Sequence, residues 1–357
     1  MTKNIGVKEL GKIFVTHLHA DHVSGLLGVI LQKEVGVKNN IKEGSNSNSN
    51  SSRSSNAVKG RQSLEIYGPV GLYNFIAMNV ALTCSKINNL DLTVYELTGG
   101  NDKRLQRDYI LKRSYRELAN LNIKRRTIDM GKDGTWTIQK AQKMEELDVQ
   151  GRDAHLRINI QAAEVHHLPG IQTFGYTVEE TRSPAKIDVD KARNLGIAPG
   201  PKYRALKNGF SVMSDDGLVE VGAHGVIVSG SGKKARKLAI LGDAWRVPNP
   251  MKKLCRNADL LVYEATLEEG TESMSRQRGH STAKMAGELA LEVNAKALAM
   301  NHISGRHDGQ ESIDAMVKCA EENNQGKSDI VVAHDFMMVH IPDYIDDQDS
   351  DTDSSAE

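Results

Sequence analysis

The chain has 357 residues, 39% of them hydrophobic, with 46 Lys and Arg against 46 Asp and Glu, 12 His and three Cys, the profile of a globular protein with one large or two ordinary domains. No apolar run is long enough to span a bilayer, and Met1 to Leu10 has no apolar stretch behind a basic start, which excludes a membrane segment and a secretory signal as readings. Cys84, Cys255 and Cys319 lie far apart with no Cys-x-x-Cys spacing, so a disulfide framework or a thiolate metal cage is excluded too, and any metal must be held by His and carboxylate.

In chain order, the β-branched stretch Ile13-Phe14-Val15 predicts a buried strand that runs into the polar cluster His17 to His22. A helix is expected over Leu26 to Glu34. Within 40–62, Ser45 to Asn56 is almost entirely Ser and Asn and has nothing apolar to offset the entropy of ordering, so a disordered insertion is expected. Leu64 to Tyr67 reads as a strand, Gly68-Pro69 as a turn and Gly71 to Leu82 as a helix. The basic stretch 101–126 reads as a solvated helix face. Ile158 to Val165 alternates as a strand leading to His166-His167, and Phe174 to Val178 resumes the strand pattern. Between 182 and 207 basic residues crowd around Gly196, Pro199, Gly200 and Pro201, which forbid a long regular element, so a projecting arm or long loop is expected. Strands return at Val226 to Ser229, Leu238 to Leu241, Leu260 to Tyr263 and Ala297 to Met300. Five of these strands end in a His, Asp or Glu. The tail from Asp343 to Glu357 is acidic without a single basic residue, which predicts disorder there and leaves residues 1–342 net basic, a charge that permits an anionic partner.

The strongest signal is His17-Leu18-His19-Ala20-Asp21-His22. Two His at i and i+2 of an extended chain point the same way, and the turn that follows returns Asp21 and His22 toward the same point. With His and carboxylate donors but no thiolate, such a set suits Zn²⁺ or Mn²⁺. Enough candidate ligands exist for two ions, the arrangement that clamps both oxygens of a phosphoryl displacement, so hydrolysis is the expected reaction class.

Four segments together resemble the short form of the ribonuclease Z family, within the metallo-β-lactamase fold. They are Lys12 to His22 (KIFVTHLHADH), Leu64 to Leu72 (LEIYGPVGL), Gly196 to Gly209 (GIAPGPKYRALKNG) and Gly279 to Ala286 (GHSTAKMA). The resemblance implies an α+β, four-layer αββα sandwich with a basic, Gly/Pro-rich arm over 179–221, in a nuclease domain covering 1–342. It implies endonucleolytic removal of the 3′ trailer from precursor tRNA, with His17, His19 and His167 on a first zinc, Asp21, His22 and His302 on a second, and Asp243 between them. His166 is the alternative to His167. By the same resemblance Asp21 is the base for the attacking water, His280 supported by Glu264 is the proton donor, Arg306 meets a phosphate, and Lys202, Arg204 and Lys207 of the arm bind the tRNA backbone, which gives affinity without sequence reading. A homodimer whose arms serve each other's active sites is also implied. The compartment is left open beyond an intracellular one.

The chain departs from the family in three ways. It lacks, ahead of Met1, the family's first strands and a Gly-Thr-Gly type loop, which implies a fragment or a sheet with an exposed edge. Gly242-Asp243-Ala244 replaces Gly-Asp-Thr, and Arg306-His307 replaces Arg-Tyr. Two further readings stay open: a small-molecule hydrolase of the same fold (sulfatase, thioesterase or phosphodiesterase), and an inactive RNA-binding relative.

Overall fold

The computed structural model describes residues 6–43, 62–100, 121–141, 158–181, 186–207, 210–226, 228, 235–305 and 309–342. The core of the Ser/Asn insertion, residues 101–120, Arg306 and the acidic tail lie outside the described residues. The chain divides into two compact units. The larger comprises Met1–Lys140, Ile160–Val178 and Leu238–Asp335, the smaller Ala141–Asn159, Glu179–Lys237 and Phe336–Glu357.

The strands are β1 (Lys12–Phe14), β2 (Gln62–Pro69), β3 (Leu90–Thr98), β4 (Ile123–Asp129), β5 (Thr135–Gln139), β6 (Ile158–Val165), β7 (Thr173–Glu180), β8 (Val212–Met213), β9 (Glu220–Val221), β10 (Lys237–Leu241), β11 (Leu260–Glu264), β12 (Ala297–Asn301) and β13 (Asp329–Val332). One sheet has the order β1-β2-β3-β4, parallel throughout. The other runs β13-β12-β11-β10-β7-β6-β5, with β10 to β13 parallel and β5 antiparallel to β6.

In the larger unit four layers follow from which faces are apolar. Helices α1 (Ala20–Val23), α2 (Leu26–Glu43) and α3 (Leu72–Leu82) precede the smaller unit. Leu26 and Ile30 of α2 and Leu72 and Ile76 of α3 pack on Leu64, Ile66, Leu92 and Val94 of the first sheet. That sheet turns Phe14, Leu97 and Ile128 toward Trp136, Ala162, Phe174 and Tyr176 of the second, which forms the middle of the sandwich. The second sheet's other face, with Ala239, Leu241, Leu261, Leu298 and Met300, meets the helices that cross between its parallel strands.

In the smaller unit, α4 (Val189–Asn194), α5 (Pro201–Lys207), α6 (Ala223–Val226) and the β8–β9 pair surround Ala192, Ile197, Leu206, Val221 and Val226. The stretch expected to be an arm or long loop is therefore folded: Gly and Pro keep its helices short, but apolar residues between them supply a core of their own. The helices that follow in the larger unit are α7 (Asn249–Cys255), α8 (Glu272–Arg278), α9 (Ala283–Glu292) and α10 (Gln310–Asn324).

Several local expectations are corrected. Gly68-Pro69 is not a turn but the end of β2, and Gly68 is needed there because a Cβ would lie 2.8 Å from Leu72 Cδ2 and 3.0 Å from Val15 Cβ. Lys124, Arg125 and Arg126 lie on strand β4 rather than a helix face, where their side chains are exposed. Val226 ends α6 instead of opening a strand, and the last strand among the described residues is Asp329–Val332.

Candidate metal centre

In the larger unit, parallel pairing of β10, β11 and β12 brings their C-terminal ends to one edge of the sheet, and these ends are followed by Asp243, carry Glu264 and are followed by His302. The ends of β1 and β6 lead into His17 and His167. His19, extended at φ −68° and ψ 152°, precedes α1, whose single turn holds Asp21 and His22.

Among the described residues three overlapping groups form, each offering ligand atoms within 4.8 Å of one another: His17, His19, His167 and Asp243 make the first, Asp21, His22 and His302 the second, and Asp243, His280 and His302 a third that shares residues with both. In the first, His19 Nδ1 is 3.0 Å from His17 Nε2 and 3.2 Å from His167 Nε2. Asp243 Oδ2 lies 3.6 Å from His17 Nε2, 3.3 Å from His22 Nε2 and 3.4 Å from His302 Nε2, so one carboxylate faces both groups. Asp21 Oδ2 lies 3.4 Å from both His22 and His302 Nε2. His167, not His166, is in the cluster: the His166 backbone pairs with Arg246, and its ring turns toward Trp245.

Burial, followed by the neighbouring His22, lowers the pKa of His17 to about 3, and burial lowers those of His19 and His167. These rings are thus neutral at pH 7, the form that offers a lone pair. Burial works to raise Asp243, but the imidazoles of His22 and His302 outweigh it and hold its carboxyl at about 2. Several nitrogen lone pairs and two carboxylates facing one another within a few ångströms leave each other poorly satisfied, and among the described residues the buried Nε2 of His22 makes no well-aligned hydrogen bond although Asp243 Oδ2 lies 3.3 Å away. A borderline divalent cation such as zinc fits this donor set.

The outward ring nitrogens are held as ligating imidazoles usually are. His167 Nδ1 donates to the Gly279 carbonyl at 2.7 Å, which leaves Nε2 free to ligate. His17 Nδ1 meets Thr16 Oγ1 at 3.1 Å and His302 Nδ1 meets Thr266 Oγ1 at 2.8 Å. Beside both groups, His280 Nδ1 lies 3.0 Å from Glu264 Oε2. Burial alone would lower the His280 pKa, but the bond to Glu264 and the charges of Glu264 and Asp243 raise it above the ordinary value. Thr282, two residues on, caps α9 by accepting from Met285 N–H.

Sequence reasoning missed Thr266, whose hydroxyl bonds both His302 and Glu264, because a lone Thr two residues past a strand carboxylate carries no distinguishing pattern. In the smaller unit, Lys202 Nζ donates to Asp215 at 2.7 Å and to the Ser214 carbonyl, so its charge is engaged locally, while Arg204 and Lys207 are exposed on α5. Arg306 lies outside the described residues.

No family model matches the chain. Mouse zinc phosphodiesterase ELAC protein 1 is 31% identical over 358 residues, covering 96% of this chain and 87% of its own length. The chain belongs to the ELAC-type ribonuclease Z family. The human ELAC protein 1 is 30% identical over 353 residues, and the ribonuclease Z of Bacillus licheniformis is 28% identical over 333 residues, covering 93% of this chain and 81% of its own. Among solved structures, the short form of human tRNase Z superposes with a TM-score of 0.51 at 22% identity, covering 95% of this chain and 82% of that one. The two sheets and their outer helices thus take the fold of the short-form tRNase Z, an α+β sandwich of the kind that the four sequence motifs imply. Among the described residues no helix is long and apolar enough to cross a membrane.

Proposed function

We propose that this chain is a zinc-dependent endoribonuclease that hydrolyses precursor tRNA after the discriminator nucleotide, releasing the 3′ trailer. The observation that carries the reading is the abutment of two His/Asp groups, both facing Asp243, with a partly buried His280–Glu264 pair, in a chain 31% identical to a zinc phosphodiesterase. His17, His19, His167 and Asp243 would hold one ion, and Asp21, His22, His302 and Asp243 a second, zinc by preference and manganese by similarity of donors. Zinc held by such a set supplies Lewis acidity, which acidifies water and draws charge from phosphoryl oxygens.

The chain's own groups handle the protons. Asp21, exposed and held below the usual carboxylate range by His302 and His22 against the opposing effect of burial, is ionised and accepts a proton from the attacking water. The water oxygen bonds to phosphorus as the bond from phosphorus to the 3′ oxygen breaks. His280, protonated more readily because Glu264 faces its Nδ1, gives the Nε2 proton to the departing 3′ oxygen. The products are a tRNA with a 3′ hydroxyl and a trailer with a 5′ phosphate. Arg204 and Lys207 bind backbone phosphates and Arg306 one near the scissile bond, and a second copy of the chain completes a homodimer, which sedimentation velocity tests.

The deciding experiment gives the zinc-loaded chain a 3′-extended precursor tRNA. A single cut after the discriminator, lost in Asp21→Ala, is the expected result. An intact precursor alongside hydrolysis of bis(p-nitrophenyl) phosphate would reject the tRNA reading and leave a phosphodiesterase of another substrate.

A further inference from the structure

Beside His167 the larger unit carries a half-open cavity of about 380 Å³ that none of the catalytic proposals uses. Its walls are the turn Leu168–Gln172, His166, Trp245 and Arg276. Trp245 is half-buried, and the Arg276 guanidinium lies over its ring at 5.7 Å from the centroid. The ring is fixed relative to the metal centre by backbone rather than by chance packing: Trp245 N–H donates to the His166 carbonyl at 2.9 Å, and His166 N–H donates to the Arg246 carbonyl at 2.9 Å. That two-bond bridge ties the residue two past Asp243 to the residue preceding His167. The turn opposite is closed by Ile171 N–H on the Leu168 carbonyl, with Gly170 at φ +79°.

We propose that this cavity is a stacking site for an unpaired nucleobase flanking the scissile phosphate. The inference rests on the function proposed above and deepens it. An indole with a guanidinium over its ring makes a flat aromatic and cationic surface of the kind on which single-stranded bases stack, and the volume exceeds that of one base. Gln172, the wall's amide, already accepts from Val70 N–H and donates to Glu164, so it is not spare for reading base edges. With that amide engaged, the proposed site favours the presence of a base over its identity, as an enzyme acting on many tRNAs requires. Arg276 is exposed and carries the charge that an adjacent phosphate meets.

The base comes from one of two places, the discriminator or the first trailer nucleotide, and abasic substitutions separate them. In wild type, removing the base at one of the two positions lowers kcat/KM about tenfold, whereas exchanging it for another base changes little. In Trp245→Ala, KM rises about tenfold with kcat little changed and the same abasic substitution costs nothing further; Trp245→Phe, which keeps an aromatic face and guards against misfolding, retains most of the affinity. Equal abasic costs in wild type and Trp245→Ala would overturn the proposal. A second readout needs no cleavage: Trp136 is fully buried, so acrylamide quenches Trp245 alone, and intact precursor shields it while the abasic precursor does not. A chain that leaves precursor tRNA uncut sinks the function reading, not this one, and a single-stranded RNA tetranucleotide then decides: shielding of Trp245 supports the stacking site, and unaltered quenching rejects it.

Discussion

Glu264 is 1% exposed, and its two oxygens accept from Ala244 N–H at 2.6 Å, Thr266 Oγ1 at 2.5 Å and His280 Nδ1. A buried carboxylate survives only with such partners, and here each partner leads to the centre: Ala244 follows Asp243, and Thr266 touches His302. Thr266→Val keeps the volume but removes the oxygen against which His302 Nδ1 rests. Zinc affinity is expected to fall by about 10- to 100-fold, the usual effect of losing a ligand's outer partner, and competition with a fluorescent chelator reads it; Thr266→Ser should keep most of the affinity. At this scale the sequence reveals much, since His17 to His22 is a local pattern that spacing alone makes conspicuous. His280 and Glu264 carry no such pattern, being 16 residues apart, and only the resemblance pairs them. Thr266 and the Gly279 carbonyl leave no trace at all, because a hydroxyl and a backbone oxygen become outer partners only through the fold.

Helices α9 and α10 pass so closely that a Cβ on Gly287 would sit 2.3 Å from the Ala320 carbonyl oxygen. In an exposed helix Gly→Ala gains about 1 kcal/mol; here the clash with backbone reverses the sign, and Gly287→Ala is expected to destabilise the protein by about 1–3 kcal/mol in urea unfolding. At the other sheet, Lys12 and Glu65 are register partners across β1 and β2 and form an ion pair. Burial works to raise the Glu65 pKa, but Lys12 and the Tyr67 hydroxyl outweigh it, so the net shift is downward. A lowered carboxyl stabilises the fold above its ordinary pKa and ceases to do so as pH falls through the lowered value. Glu65→Gln should thus cost under about 1 kcal/mol at neutral pH, with the difference from wild type closing in acid, a trend that unfolding midpoints at several pH values would show. Strands β2, β6, β7, β10, β11 and β12 were legible from β-branched runs bounded by polar ends. Strand β4 was not, because Ile123-Lys-Arg-Arg-Thr-Ile-Asp places its apolar residues too far apart to alternate, and its strand state is set by pairing with β3. The stretch 182–207 is only partly legible for the opposite reason: its Gly and Pro mark short elements but do not reveal that the described ones share a core.

Zinc held by the proposed ligands would favour the native arrangement over the dispersed ligands of the unfolded chain and so stabilise the fold by mass action, by up to about 2.7 kcal/mol when free zinc is a hundredfold above its dissociation constant. Calorimetry should show a midpoint that rises with zinc and falls with chelator, and Asp243→Asn, which removes the charge facing both groups, should abolish most of that rise. A midpoint indifferent to zinc in wild type would refute the assignment of these residues as ligands. The order of the proposed ligands along the chain also imposes a calendar on the ribosome. Asp21 and His302 are 281 residues apart, and at roughly 5–20 residues per second about a quarter of a minute to a minute passes between their syntheses. During most of that interval the nascent chain presents His17, His19 and His22 before either Asp243 or His302 has been made, an incomplete set of the proposed ligands. The proposed ligand set is therefore complete only once β12 has docked and brought His302 to Asp21 and Asp243.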